Sequence, residues 1–226
     1  MITATRPQEE RPAVGQIQFG SLRRLAPISQ WFGGDRGRPI DRYYIENFLA
    51  REAACIQGRV LEVGDRFYTE RFGSERVQVS DVLNVTDGNP YATIVADLTR
   101  ADHVPSNMFD CIILTQTMQY VYEPRLAVCT LHRILKPSGV VLATFPGISQ
   151  KDQGDWTWYW SFTGKGVQRL FEEAFSPAAV TVESHGNVLA ATAFLQGIAA
   201  EELTPAELDT HDPRYEVSIT LKARRE

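Results

Sequence analysis

Side chains able to do chemistry recur where short apolar runs stop. RVLEVG (59–64) carries Glu62 and closes on Gly64, with Asp65 next. RVQVSDVL (76–83) brings Asp81 to its end, ATIVADL (92–98) ends in Asp97 and Leu98, and DCIILTQ (110–116) ends in Gln116, followed by Thr117. If these runs are strands of an open parallel sheet, their carboxyl ends share one crevice, which is where such sheets bind ligands. Carboxylates at three neighbouring strand ends are acceptors for hydroxyls, an amine or an ammonium. Asp65 taken alone is as readily a turn residue.

The missing glycines narrow the ligand. A dinucleotide fingerprint starting at Gly64 needs glycine at 66 and 69, and Arg66 and Thr69 stand there. The second glycine lets backbone approach a pyrophosphate, so Arg66 argues against a nicotinamide dinucleotide. The segment before the next run holds roughly two turns of helix, a weak anion site. No Gly-Lys-Ser/Thr phosphate loop follows a run. A phosphate-free adenosine with an amino-acid tail fits better: its ribose diol and exocyclic amine seek acceptors, and its ammonium seeks carbonyls or an acid.

The elements that would position these groups follow from pattern. The runs, with a fifth, VVLATFPG (140–147), are rich in Val, Ile and Leu with little alternation, as for strands buried on both faces. A sixth is AVTVES (179–184). The last, YEVSITLKA (215–223), alternates strictly. Ahead of them, WFGGDRGRP (31–39) reads as a glycine-rich loop. In IDRYYIENFLAREAACIQG, Ile40, Tyr44, Ile45, Phe48, Leu49 and Ala53 share a helical face, with Gly58 placed to close it. In EPRLAVCTLHRILKPSG, Pro124 suits a first turn, Leu126, Cys129, Ile134 and Leu135 form an apolar stripe, and KPSG ends the helix. Thr163 caps GVQRLFEEAF, NVLAATAFLQGIAAEEL is helical, and Thr204, Pro205 and Glu207 start one more turn. The expected organisation is a flexible tail over 1–30 and a single α/β domain over 31–226 that begins with a helical cap.

The 226 residues are 43% hydrophobic and 23% charged, with a net charge of −5. This is ordinary soluble composition, and no basic run points to nucleic acid or an anionic membrane. No apolar stretch is long enough to span a bilayer and the first residues lack a secretory signal, so a cytoplasmic protein is expected. The three cysteines, Cys55, Cys111 and Cys129, read as small core residues. No His/Cys cluster suggests metal.

FDCIILTQTMQYVYEPRLAVCTLHRILKPSGVVLATFPG (109–147), together with VLEVGD, resembles the class I S-adenosylmethionine (SAM)-dependent methyltransferases of the small-molecule, type 11-like kind. The resemblance covers roughly residues 40–224. It implies a Rossmann-like, seven-stranded, mostly parallel sheet with helices on both faces and a last antiparallel strand between the fifth and sixth. It implies SAM as cofactor and S-adenosylhomocysteine (SAH) as product. Glu62, Gly64 and Asp65 match the first motif near the methionine end, Asp81 the ribose acid, Asp97 and Leu98 the adenine edge, and Gln116 and Thr117 the sulfonium side. VLEVGD departs from the family in lacking the later glycines.

Methyl transfer is an in-line displacement governed by alignment, and a hydroxyl acceptor gains from a base. His185, after the sixth run, and Tyr43 are the candidates; His103, His132 and His211 read as surface or structural. Tyr44, Gln119, Tyr120, Trp158 and Trp160 are candidate acceptor contacts, because in the family these regions roof the pocket. Arg36, Arg38 and Arg42 stand ready for a carboxylate. The expected partner is a small molecule, methylated on a hydroxyl of a sugar or secondary metabolite; a homodimer is left open. The rivals are another SAM reaction, aminocarboxypropyl transfer or cyclisation, and a non-catalytic SAM-binding protein.

Overall fold

A computed structural model describes residues 11–226 except 153 and 155. The strands are β1 (Gly58–Val63), β2 (Val77–Asn84), β3 (Ile94–Val95), β4 (Phe109–Thr115), β5 (Leu135–Pro146), β6 (Val180–His185) and β7 (Ser218–Arg224). They form one seven-stranded sheet in the order β3-β2-β1-β4-β5-β7-β6. β1 to β5 pair in parallel, and β7 lies antiparallel between β5 and β6. The order reverses between β1 and β4, and such a switch point opens the ligand crevice.

The helices are α1 (Ile40–Arg51), α2 (Pro124–Ile134), α3 (Gly164–Phe171), α4 (Val188–Gln196) and α5 (Pro205–Asp209). None is long and apolar enough to cross a membrane among the described residues. α1 buries Ile40, Tyr44, Ile45, Phe48 and Leu49, the face read from spacing. It stops at Arg51, and Gly58 (φ +68) opens β1 instead of closing the helix. Thr163 caps α3, and Thr204 with Glu207 forms a capping box on α5.

Four local expectations shift. On α2 the buried residues are Ala127, Val128, Leu131 and Ile134, while Leu126 and Cys129 face outward. The helix holds two apolar phases, and the one carrying Ala127, Val128, Leu131 and Ile134 packs into the core. KPSG is not a turn outside the strand: β5 starts at Leu135, paired with Phe109, and a register shift absorbs the extra residues before Val140 pairs with Cys111. β3 shrinks to two residues. β7 alternates apolar with hydroxyl residues, yet both faces are covered: Ser218 and Thr220 are as buried as Ile219 and Leu221. The hydroxyl face lies on the α1 side, where Thr220 meets His185, Lys222 meets Glu52, and the His185 ring stacks on Tyr44.

Between β1 and β2 the chain makes only a π turn (Thr69–Gly73) and a 3-10 turn (Ser74–Arg76). Gly73 permits this shortcut, since a Cβ there would sit 2.4 Å from Val77 Cγ2. Ahead of α1, Ile28 and Ser29 donate backbone N–H groups to Gln196 O at the end of α4. The Ser29 hydroxyl donates to Asp35 and accepts from the Trp31 and Gly33 amides, which folds the glycine-rich loop onto α4. Of the expected tail over 1–30, residues 1–10 lie outside the described residues.

Candidate functional site

The first strand end is held together from inside. Glu62 is 2% exposed and accepts from Tyr68 N (3.1 Å) and Thr69 N (2.7 Å). Its carboxylate thus satisfies the amides of the short turn, which has no helix long enough to do so itself. Burial pushes its carboxyl up to about 7, against the pull of those amides. Gly64 follows with φ +95, a conformation that disfavours side chains, and a Cβ there would find open space. Asp65 caps the next turn, accepting from Phe67 N at 2.9 Å.

At β2 the register corrects the sequence reading. Asp81 pairs with Leu61 in the middle of the strand, whereas Leu83 is level with Val63 at the tip. The Asp81 side chain is 6% exposed and bonded to Arg59 Nε (2.7 Å) and Thr93 Oγ1 (2.8 Å). It lines none of the cavities described below and is not placed as the ribose acid. The residue at the tip is Asn84, whose Nδ2 donates to Thr86 O at 2.9 Å. An amide oxygen therefore stands where a carboxylate was expected.

The carboxyl ends of β1 to β4 enclose a cleft of 590 Å³, lined by Gly64, Asn84, Val85, Asp97, Leu98, Gln116, Thr117, Tyr122 and Tyr159 among others. That size suits a nucleoside-scale ligand. Asp97 Oδ1 holds its own turn by accepting from Thr99 N and Oγ1, both at 2.8 Å. Leu98 is a buried wall. Gln116 turns out of β4 with φ +45, and Thr117 Oγ1 bonds back to Thr115 O.

Two further cavities meet this cleft. One of 430 Å³ lies between α1 and the β1 turn, lined by Arg38, Arg42, Glu46, Asp65, Tyr68 and Gln116. Another of 290 Å³ lies under the aromatic segment, lined by Trp31, Phe32, Asp41, Arg42, Gln116, Gln119, Tyr120, Asp152 and Trp158. Gln116 borders all three spaces, so they converge at the tip of β4. Arg42 borders two of them and donates to Tyr68 Oη at 3.2 Å. Desolvation pushes the Asp41 carboxyl above its ordinary range, partly offset by the neighbouring Arg42. Arg36 is paired with Glu202, and Arg38 faces Glu46 at 3.4 Å.

Other expected residues fall elsewhere. His185 lies in a separate 190 Å³ cavity with Tyr44, Arg51, Asp209 and His211, none of which borders the three convergent spaces. Its Nε2 is 3.0 Å from Thr220 Oγ1, and burial holds its pKa below the usual imidazole value. It is not placed as a base for the convergent site. Tyr43 Oη donates to Asp209 (2.7 Å) and Tyr44 Oη to Leu208 O (2.8 Å), so both tie α1 to α5 rather than facing an acceptor. Trp160 Nε1 donates to Val121 O at 3.0 Å and its ring stacks on Tyr122; it packs the segment, while Trp158 borders the cavity. Sequence reasoning missed Asn84, Asp41 and Asp152. Only strand register reveals the first, and only the packing of the α1 start and of the loop after β5 reveals the other two.

The family model described as a methyltransferase domain matches residues 55–143. No curated protein matches the sequence. Among solved structures, a SAM-dependent methyltransferase from Archaeoglobus fulgidus is similar at 12% identity and a TM-score of 0.55, over 81% of this chain and 94% of that one. The cyclase SpnF is similar at 17% identity and 0.55, over 84% and 83%. Phosphoethanolamine N-methyltransferase 2 of Haemonchus contortus, in complex with SAM, is similar at 14% identity and 0.53, over 81% and 52%. At these identities the structural likeness is one of fold.

Proposed function

We propose that this chain is a class I SAM-dependent methyltransferase, a reading its matched methyltransferase domain and its fold support, and that with SAM as cofactor it methylates a hydroxyl of a small molecule in the cytoplasm. The observation that carries the reading is the convergence of three cavities at Gln116, because methyl transfer needs donor and acceptor compartments that share one border.

The residues present suit the cofactor. The 590 Å³ cleft offers Leu98 and Val85 as apolar walls for adenine and the Asn84 amide for ribose. Arg42 and Asp65, both bordering the 430 Å³ cavity, complement an amino acid's carboxylate and ammonium. Bound there, SAM supplies the methyl group on its sulfonium. Gln116 marks the border across which the acceptor must be aligned. Asp41, its carboxyl held above the ordinary range, takes the proton of the acceptor hydroxyl in the 290 Å³ cavity. The aromatic segment limits water there.

Asn84 and the shortened β1–β2 turn favour a second reading, a SAM-dependent reaction of another type. Incubation with SAM and a pool of hydroxylated small molecules, with mass spectrometry of the nucleoside product, separates the two. SAH with a methylated acceptor is the expected result. Methylthioadenosine marks aminocarboxypropyl transfer, and SAM binding without turnover of any acceptor marks a binding protein.

A further inference from the structure

We propose that the 290 Å³ cavity takes a protonated amine that also carries oxygen, an amino alcohol. This rests on the methyl-transfer reading and names the class of its acceptor. The cavity contains polar atoms that the fold leaves without partners. Gln119 is 2% exposed; its Nε2 donates to Gln116 O at 2.9 Å, while its Oε1 has no hydrogen-bond partner among the described residues. An amide oxygen buried in that state calls for a donor from a ligand. Trp158 Nε1 is likewise buried without a partner, whereas the neighbouring Trp160 indole is bonded to Val121 O. The Trp158 N–H calls for an acceptor atom. A single ligand that satisfies both carries a donor and an oxygen.

Charge gives the donor its sign. Among the described residues, Asp41 and Asp152 border the cavity against one cation, Arg42. The Arg42 guanidinium already donates to Tyr68 Oη, and it also borders the neighbouring cavity, which contains Asp65. Its charge is shared, and the cavity retains an excess of acceptors. Asp152 stands at the mouth, accepting from Gly154 N at 3.1 Å and, at a long 3.4 Å, from Tyr120 Oη, which leaves its carboxylate able to accept more. Tyr120 and Trp158 meet edge to face, ring centroids 5.6 Å apart, beside this carboxylate. Aromatic rings next to carboxylate and amide oxygens favour an ammonium over a neutral donor.

The test compares matched probes on SAH-loaded full-length protein. Titration calorimetry and saturation-transfer NMR are run with glucosamine against glucose, and with tyramine against 4-ethylphenol. For at least one pair the amine is expected to bind about tenfold more tightly than its neutral counterpart, as one charge-assisted hydrogen bond provides. Asp152→Asn is expected to erase that preference while SAH affinity stays the same; because Asp152 is exposed at the mouth, the variant should fold. Neutral members binding as tightly as the amines, no binding of either amine, or a preference that survives Asp152→Asn would overturn the proposal. Failure of the wild-type protein to bind SAH at all would instead remove the reading beneath it.

Discussion

The two halves of the sheet's carboxyl edge use polar residues in opposite ways. At β1 and β2 the acids turn inward: Glu62 clasps two turn amides, and Asp81 is bonded to Arg59 and Thr93. At β4 the polar residues turn outward: Gln116 borders three cavities, with Gln119 and Tyr120 beside it. The difference follows from what lies between the strands. A shortened crossover cannot satisfy its own amides, so Glu62 of β1 is recruited to do it, while Asp81 of β2 ties its strand to Arg59 and Thr93. The β4 tip is supported by backbone, with Gln116 N donating to Thr144 O at 3.0 Å, and its Gln116 side chain borders the cavities instead of clasping a turn. An acid in a strand is thus equally usable as an internal clasp or as a contact, and register decides which.

The largest expected effect concerns the Glu62 clasp. Burial pushes its carboxyl from an ordinary 4.5 up to about 7, so between those values the folded state holds a proton that the unfolded chain has lost. Its contribution is full below about pH 4.5 and is lost as pH rises through 7. Urea unfolding across that window should show wild-type stability falling by about 3 kcal/mol more than that of Glu62→Gln. Parallel pH profiles would mean that Glu62 ionises freely and faces solvent or ligand. Next, Asp81→Ala should destabilise the fold by about 1–3 kcal/mol through the loss of a nearly buried bonded acid, with SAH affinity, measured by calorimetry, nearly unchanged. A loss of SAH affinity in a stable variant would restore Asp81 as the ribose contact.

On the outward side, Arg42→Ala should weaken SAH binding about tenfold or more by removing a charged partner for the carboxylate, and should also lower the melting temperature, because Asp41 loses its neighbouring cation and Tyr68 its donor. The smallest effect is expected at the strand tip: Asn84→Asp should tighten SAH binding by a few-fold, because a carboxylate accepts more strongly from the ribose hydroxyls. Unaltered affinity would place the ribose away from Asn84.

Much of this was readable from the chain. Buried strands announce themselves by unbroken Val, Ile and Leu, and α1 by the spacing of Ile40, Tyr44 and Phe48. Gly64, Leu98, Gln116 and Thr117 came into view because apolar runs stop there and the cleft forms where they stop. Asp81 misled because its run offers two polar stops, Asp81 and Asn84, and only pairing with Leu61 and Val63 fixes which is the tip. His185 misled because the last residue of an edge strand can face either side of the sheet, and here its ring stacks on Tyr44 and meets Thr220 in a cavity that Gln116 does not border. Asp41 and Asp152 gave no periodic signal, since they belong to the helix start and loop that roof the cavity.

A crystal structure with SAH tests the central claim most directly. The account expects the adenosine against Asn84 and Leu98, the amino-acid end beside Arg42 and Asp65, and the sulfur at Gln116 facing the 290 Å³ cavity. A ribose bonded to Asp81, or SAH lodged in the His185 cavity, would contradict it.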